Sequence, residues 1–491
     1  MEPPVLRLPV VLPQRGSRLL LISLRDQLRT AILDGRLKPG VRLPSTRVLA
    51  EGCGIGRNTA VAAYELLLSE GYVVVRRGSG TAVAESLPVP SNPAGQTTRR
   101  SLERRLNRYW RGRAPPQRRN AGAPPQYVFQ VGMPDAANFP YDIWRRLGGR
   151  IERRLRSGFP LVAGSQGLPA LREAIAQHVS FARAVACGPE DIVVTAGAHQ
   201  AFDLLARILT TSGRTTVAIE NPGYPPVREA FAAHGARIAP VPVDEEGLIV
   251  DHIPAEARVV CVTPSHQFPL GAVMSARRRT SLLDVCRQRR AVVIEDDYDG
   301  EFRFADRPLD ALQTLDRMHS VFYVGTFSKS LLPDLRLGYV VAPRWALGAL
   351  VAAKRVADGQ CCAMTQATVA LLIREGHLAR HIRKMQRIYR GRRERLLEGL
   401  RSGFDRWLEV LPSVAGLHVA ARLKSLREDP VIARGREAGV GIGALRPYYA
   451  KNPTMQGLMF GYGNLDERAI DAGLERFRTS ISSRFRQRDH R

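Results

Sequence analysis

The chain has 491 residues, 44% hydrophobic and 24% charged, which is ordinary globular usage, excludes wholesale disorder and leaves room for more than one domain of the usual ~150 residues. Lys and Arg number 73 against 46 Asp and Glu, a formal net charge of +27, and an excess of that size points to a polyanionic partner, most simply nucleic acid. No apolar run reaches the ~18 residues of a membrane span, no small-residue cleavage site follows the proline-broken start, and the six cysteines lack both metal-ligand spacing and a disulfide framework. The expectation is a cytoplasmic protein with no bound metal and no membrane partner.

Residues 16–85 form a first zone. Ser23 followed by Asp26 reads as a capping box, and Leu24, Leu28 and Ile32 recur at the spacing of a buried helical face. Gly35 ends that helix and Pro39-Gly40 turns the chain. Pro44-Ser45-Thr46 opens a second helix, Gly54-Ile55-Gly56 makes a tight turn, and a third helix runs from Arg57 through Val61, Tyr64, Leu67 and Leu68 to Gly71. Two helices joined by a short glycine-containing turn form a helix-turn-helix pattern, with the start of the second aimed at the major groove. Tyr72 to Arg77 reads as a strand, Gly78-Ser79-Gly80 as a hairpin turn and Thr81 to Ala84 as the return strand.

That stretch closely resembles the GntR-type winged helix-turn-helix. The resemblance implies that Arg47, Arg57, Asn58, Thr59 and Gly78 contact DNA. Arg57 and Asn58 have the chemistry for bidentate contacts to guanine and adenine edges. Arg47 suits phosphate, which orients without reading sequence. Gly56 departs from the family, which often has Ser or Thr at this helix start; glycine is a tolerable cap but removes a hydroxyl.

Residues 86–126, rich in Pro, Gly, Gln and Arg, cannot bury enough apolar surface to offset ordering entropy and read as a linker, with a short helix expected over Leu102 to Trp110. From 127 to 482, strand patterns at Ile192–Thr195, Thr216–Glu220, Val259–Thr263, Ala291–Glu295 and Val321–Gly325 alternate with helical ones, the signature of a largely parallel sheet wrapped by helices. Chemistry-bearing residues gather at the carboxyl ends of these strands, where open α/β sheets bind ligands. Thr195-Ala196-Gly197-Ala198-His199 opens a helix whose free N–H groups suit an anion. Tyr224 offers a ring for stacking. In Glu295-Asp296-Asp297-Tyr298-Asp299 a carboxylate is placed to pair with a ring nitrogen, and in Gly325-Thr326-Phe327-Ser328-Lys329 a primary amine sits among hydroxyls, with Arg336 after it. This suits pyridoxal phosphate: the amine attacks the aldehyde while hydroxyls and guanidinium hold the phosphate.

The joint order of these motifs, with Thr263-Pro264-Ser265-His266-Gln267-Phe268-Pro269 between them, resembles the fold-type I aminotransferases. It is similar in particular to the MocR subfamily, which fuses a GntR-type winged helix to that fold. By that resemblance Lys329 is the Schiff-base lysine, Asp296 the partner of the pyridine nitrogen, and Tyr298 the hydroxyl near O3′. Tyr224 is then the stacking aromatic, Ala198 and His199 are helix-start phosphate contacts, and Thr326, Ser328 and Arg336 form the phosphate clamp. Phe268 stands where aminotransferases carry Asn, as is usual in the subfamily. Val162 stands where the family often has a Tyr that reaches the partner's phosphate, and Met459 aligns with the slot of the Arg that holds a substrate carboxylate. Arg446 offers a guanidinium for that role, with a surface role as the equal alternative.

The resemblance implies a multi-domain protein: a winged helix-turn-helix over 16–85, a linker over 86–126 and an aminotransferase-like effector domain over 127–482. The function it implies is a transcriptional regulator that binds double-stranded operator DNA as a domain-swapped homodimer. Its effector domain senses pyridoxal phosphate or a small amine through an aldimine at Lys329, with no net catalytic role expected. An active aminotransferase with an appended DNA-binding module remains the alternative. A ligand-free dimerisation scaffold is a third reading, disfavoured by the intact Lys329, Asp296 and phosphate set.

Overall fold

Leu24, Leu28, Ala31 and Ile32 occupy one stripe of helix α1 (Leu20–Leu33) and are all buried, as expected of a helix that faces a core. The computed structural model describes residues 19–76, 80–85, 104–113, 124–304 and 310–482, and the chain divides into units 1–112 and 113–491. In the first unit α1 packs with α2 (Thr46–Cys53) and α3 (Arg57–Ser69) around Leu49, Ala60, Tyr64 and Leu67. Ser45 caps α2, its side chain accepting from the Val48 N–H at 3.3 Å, and Gly54 closes it in the left-handed region at φ 63°, where glycine has no steric penalty. Tyr64 donates to the Pro44 carbonyl at 2.9 Å and ties α3 to the entrance of α2.

Strands β1 (Val73–Arg76) and β2 (Gly80–Val83) pair antiparallel beside these helices. The capping-box expectation is corrected. Helix α1 begins three residues before Ser23, because extending it backward packs Leu21 against the core, and Ser23 accepts from Gln27 at 3.1 Å inside the helix. The expected linker helix is also shorter: Arg108–Trp110 make one 3-10 turn, with Leu106 and Trp110 about half exposed and no apolar face buried. Leu102 of that expectation, like Gly78 of the wing, lies outside the described residues.

The second unit is built on a large sheet. Its strands are β4 (Ile192–Thr195), β5 (Thr216–Asn221), β6 (Arg237–Asp244), β7 (Gly247–Leu248), β8 (Ala257–Val262), β9 (Val292–Asp297), β10 (Val321–Thr326) and β11 (Gly338–Val341), and β3 (Tyr127–Val128) precedes them in the chain. The order is β4-β11-β10-β9-β8-β5-β6-β7. Pairs β10–β9, β9–β8, β8–β5 and β5–β6 are parallel, and β11 is antiparallel to both its neighbours. Strands β4, β10 and β11 are buried at every residue, the mark of a sheet covered on both faces.

A second sheet comes later in the chain, made of β12 (Leu408–Val410), β13 (His418–Leu423), β15 (Gly443–Ala444) and β16 (Gly457–Gly461) in the antiparallel order β12-β13-β16-β15, while the intervening β14 (Val440–Gly441) pairs with β3. Helices His377–Phe404 and Glu467–Ser482 share a core with it through Leu396, Leu400, Leu474 and Phe477. The sequence reading did not resolve this sheet, since strands buried on both faces show no alternation and are hard to tell from buried helix.

The end of β9 sets the geometry of the cavity side of the sheet. Successive strand residues face opposite sides, so Glu295 and Asp297 point away from Asp296. Glu295 accepts from the Leu312 and Gln313 N–H groups, each at 3.0 Å. Asp297 accepts from Arg183 Nε and from the Tyr323 hydroxyl, both at 2.6 Å, and Arg183 also donates to Ser265 at 2.6 Å. Because both ions are buried, Arg183→Met strands an uncompensated carboxylate and should destabilise the second unit by about 3–5 kcal/mol. Denaturant unfolding measures this, and Arg183→Met combined with Asp297→Leu should recover most of the loss; an unchanged midpoint in the single variant contradicts the assignment.

Candidate functional site

A cavity of about 290 Å³ opens at the carboxyl ends of the parallel strands. All nine residues singled out in the sequence for cofactor contact line it: Ala198, His199, Tyr224, Asp296, Tyr298, Thr326, Ser328, Lys329 and Arg336. They come from separate chain segments, brought together by the order of the strands. The cavity also takes in Gly132, Phe268, Asp299, His418 and Tyr448.

One end is built for an anion. Gly197, in the left-handed region at φ 79°, precedes the helix Ala198–Leu209, whose first N–H groups lack intrahelical partners. A Cβ on Gly197 would lie 3.3 Å from the Arg336 guanidinium, so glycine permits that close approach. Arg336 donates to the Ala196 carbonyl at 2.9 Å, and Thr326 donates to the Ser328 hydroxyl at 3.0 Å. Burial, then the charge of Arg336, lower the pKa of His199, which keeps that ring neutral beside the cations.

The opposite end is built for a cation. Asp296 is buried, and its Oδ1 has no hydrogen-bond partner. Burial first, then the charges of Asp297 and Asp299, raise its pKa well above the usual carboxylate range, and an orphaned carboxylate of this kind is costly without an N–H donor. Between the two ends Lys329 donates to the Gly132 carbonyl at 2.6 Å. Gly132 sits at φ 72°, and a Cβ there would fall 2.9 Å from the Lys329 amine. Burial lowers the Lys329 pKa, while Asp299 and Asp296 oppose the shift. The rings of Tyr224 and Tyr298 each meet Phe268 edge to face, at 5.5 and 5.7 Å. The set fits a flat heterocycle with a protonated nitrogen at one end and a phosphate at the other, with an amine-reactive group near Lys329.

The sequence reading gave no role to a second group of residues here. His266 Nδ1 lies 2.8 Å from both the Tyr298 hydroxyl and Asp299 Oδ2. His418 packs 5.2 Å from that ring and bonds the Pro269 carbonyl through Nε2 at 3.1 Å; burial lowers its pKa to about 3, so it stays neutral. The signal for the first pair was present, as two titratable residues inside the quoted motifs. His418, alone in an apolar strand, carried none. Met459 does not line the cavity but packs with Leu445 and Tyr449, and Arg446 is ion-paired with Asp429 at 3.2 Å. Among the described residues no His, Cys, Asp and Glu cluster suits a metal ion, and no helix is long and apolar enough to cross a membrane.

In the first unit Arg57 and Asn58 are exposed at the start of α3, with no side-chain partner among the described residues, and Thr59 is half-buried behind them. Arg47 is exposed on α2 and pairs with Glu51 at 3.2 Å.

Comparison with known proteins separates the same two units. Residues 23–83 match the family described as bacterial regulatory proteins, gntR family, and residues 149–447 match aminotransferase class I and II. The chain is similar to the probable rhizopine catabolism regulatory protein MocR of Rhizobium meliloti, 34% identical over 94% of this chain and 93% of that one. It is also similar to the HTH-type pyridoxine biosynthesis transcriptional regulator PdxR of Corynebacterium glutamicum, 32% identical over 94% and 95%. Among solved structures, the α-aminoadipate aminotransferase LysN of Thermus thermophilus, complexed with N-(5′-phosphopyridoxyl)-L-leucine, superposes with a TM-score of 0.67 at 28% identity, covering 73% of this chain and 92% of that one. The two regulators span both units.

A carboxyl whose pKa is raised on folding keeps a proton that the unfolded chain has already released. Its contribution to stability is therefore full below the ordinary carboxylate range and is lost as pH rises through the raised value. In cofactor-free protein, Asp296→Asn should accordingly flatten the fall in thermal midpoint as pH is raised toward neutrality. Parallel pH profiles for the variant and the wild type would contradict the orphaned carboxylate.

Proposed function

The chain belongs to the MocR-type regulators, DNA-binding proteins in which a winged helix of the gntR family is joined to a class I and II aminotransferase domain, and from that premise we propose that it responds to pyridoxal phosphate, or to a small amine that reacts with it, at Lys329. The observation that carries this reading is the partnerless Oδ1 of buried Asp296, set across one cavity from an anion cradle of Thr326, Ser328, Arg336 and a helix start. When bound, pyridoxal phosphate supplies an aldehyde that condenses with primary amines and a ring that withdraws electrons.

The chain's own residues divide the remaining work. Asp296 accepts the ring N–H and holds that proton. Tyr224 and Phe268 line the cavity and would offer their rings to a planar ligand, and Tyr298 presents its hydroxyl next to His266. Arg336, the two hydroxyls and the N–H groups of Ala198 and His199 bind phosphate. The lowered pKa of Lys329 enlarges the neutral, nucleophilic fraction of its amine.

Sensing is favoured over turnover by the cation inventory. Arg336 is the only arginine lining the cavity among the described residues, and it belongs to the phosphate end. A bound amino acid thus lacks a bidentate fork for its carboxylate. Tyr141, Phe159 and Val162 are 53%, 60% and 75% exposed in the isolated chain, apolar surface suited to cover by a second copy. A domain-swapped homodimer would present two α3 helices to two half-sites, gaining affinity through effective concentration. Regulation then requires the ligand to favour one arrangement of those helices over another.

Protein mixed with pyridoxal phosphate should turn yellow and carry a visible absorption band, which Lys329→Ala should abolish. Protein that stays colourless with excess coenzyme overturns the proposal. For the DNA-binding unit, Arg57→Ala should weaken binding to the gene's own upstream DNA by about 1–3 kcal/mol, measured by fluorescence anisotropy; unaltered affinity would remove α3 as the reading helix.

A further inference from the structure

Little of this chain's net charge of +27 lies in its helix-turn-helix domain, and +13 of it lies in residues 1–18, 86–126 and 483–491. Residues 19–85 hold nine Lys and Arg against six Asp and Glu, a net of only +3. Residues 127–482 hold 48 cations against 37 anions, a net of +11, and two segments account for all of that excess. The helix Tyr141–Arg156 contributes +4, with Arg145, Arg146, Arg150, Arg153, Arg154 and Arg156 all exposed. Residues 374–393 contribute +7, with Glu375 as their one acid. The two segments adjoin, since Arg150 pairs with Glu375 at 2.6 Å.

Within the helix His377–Phe404 the cations form a stripe. Leu378, His381, Ile382, Met385 and Tyr389 are buried, and Arg380, Arg383, Lys384, Arg387 and Arg390 lie exposed on the opposite side at i, i+3, i+4, i+7 and i+10. Among the described residues Arg383, Lys384, Arg387 and Arg390 have no ion-pair partner, nor do Arg146, Arg153 and Arg154 on the neighbouring helix. Like charges three and four residues apart repel and weaken a helix, so this stripe costs stability that a solvated face of mixed charge would not. At 1.5 Å per residue it is about 15 Å long, the rise of about four base-pair steps.

We propose that this basic face of the aminotransferase-like unit is a second DNA interface, which contacts the phosphate backbone without reading sequence. The proposal rests on the reading of the chain as a DNA-binding regulator and adds that its affinity is shared between a helix-turn-helix domain of low net charge, residues 19–85, and a basic face of the effector unit that releases further counterions. A face of this kind lies in the unit that receives the ligand, so occupancy of the cavity and grip on the backbone meet in one body.

The test is the salt dependence of binding of the full chain to sheared random-sequence duplex DNA, since each phosphate contact contributes about 0.9 to the slope of log K against log salt. Replacing Arg383, Lys384, Arg387 and Arg390 together by Gln should lower the magnitude of that slope by about 3–4 and leave circular dichroism and the thermal midpoint intact or improved. Arg214→Gln with Arg317→Gln, exposed on the same unit but off this face, should leave the slope unchanged. A wild-type slope in the fourfold variant overturns the proposal, as does a variant that loses binding only to vesicles of anionic phospholipid while its DNA slope is unaltered. If the wild-type chain binds no duplex even at low salt, the DNA-binding reading itself falls, a result distinct from an unaltered slope in a chain that does bind.

Discussion

Five consecutive residues at the end of strand β9 hold four carboxylates, and the pleat sorts them. Glu295 and Asp297 turn to one side, where backbone N–H groups hold Glu295 and Arg183 and Tyr323 both donate to Asp297 Oδ2, while Asp297 Oδ1 has no partner among the described residues. Asp296 turns to the other and meets nothing at Oδ1. Burial of so much like charge is tolerable because backbone N–H groups hold Glu295 and Arg183 pairs with Asp297; Asp296, which faces the cavity without an ion pair among the described residues, is left with an unmet demand for an N–H donor. The rest of the site is arranged around that demand, with the amine of Lys329 and an anion cradle lining the same cavity.

The neighbouring groups tune the same point. His418 is held neutral by burial, and His199 by burial and the charge of Arg336, so neither ring adds positive charge to the cavity. His266 Nδ1 lies 2.8 Å from both the Tyr298 hydroxyl and Asp299 Oδ2, two groups that line the cavity. These contacts hold the tyrosine in place. The same economy governs the first unit, where the core residues of α1, α2 and α3 leave the first turn of α3 free to face a partner.

Much of this was legible in the sequence because it lies in contiguous motifs. The start of α3 at Arg57, the cap at Ser45 and the nine cavity residues each announce themselves by local chemistry at a strand end or helix start. What stayed hidden depends on distant segments. His418 reaches the cavity only because β13 pairs with β16, and these two strands, buried at nearly every residue, have no alternating signal. Gly132 matters only through the Lys329 amine 197 residues away. The start of α1 differs because Ser23 and Asp26 mimic a cap locally, while the helix runs back to Leu20 and packs the partly buried Leu21 against the core.

The chemistry of the site turns on a proton held between the coenzyme ring and Asp296. The most direct measurement is nuclear magnetic resonance of the full chain carrying pyridoxal phosphate isotopically labelled at the ring nitrogen. A shift typical of a protonated pyridinium at neutral pH, lost in Asp296→Asn, is the expected result. An unprotonated ring nitrogen in the wild-type protein would contradict it.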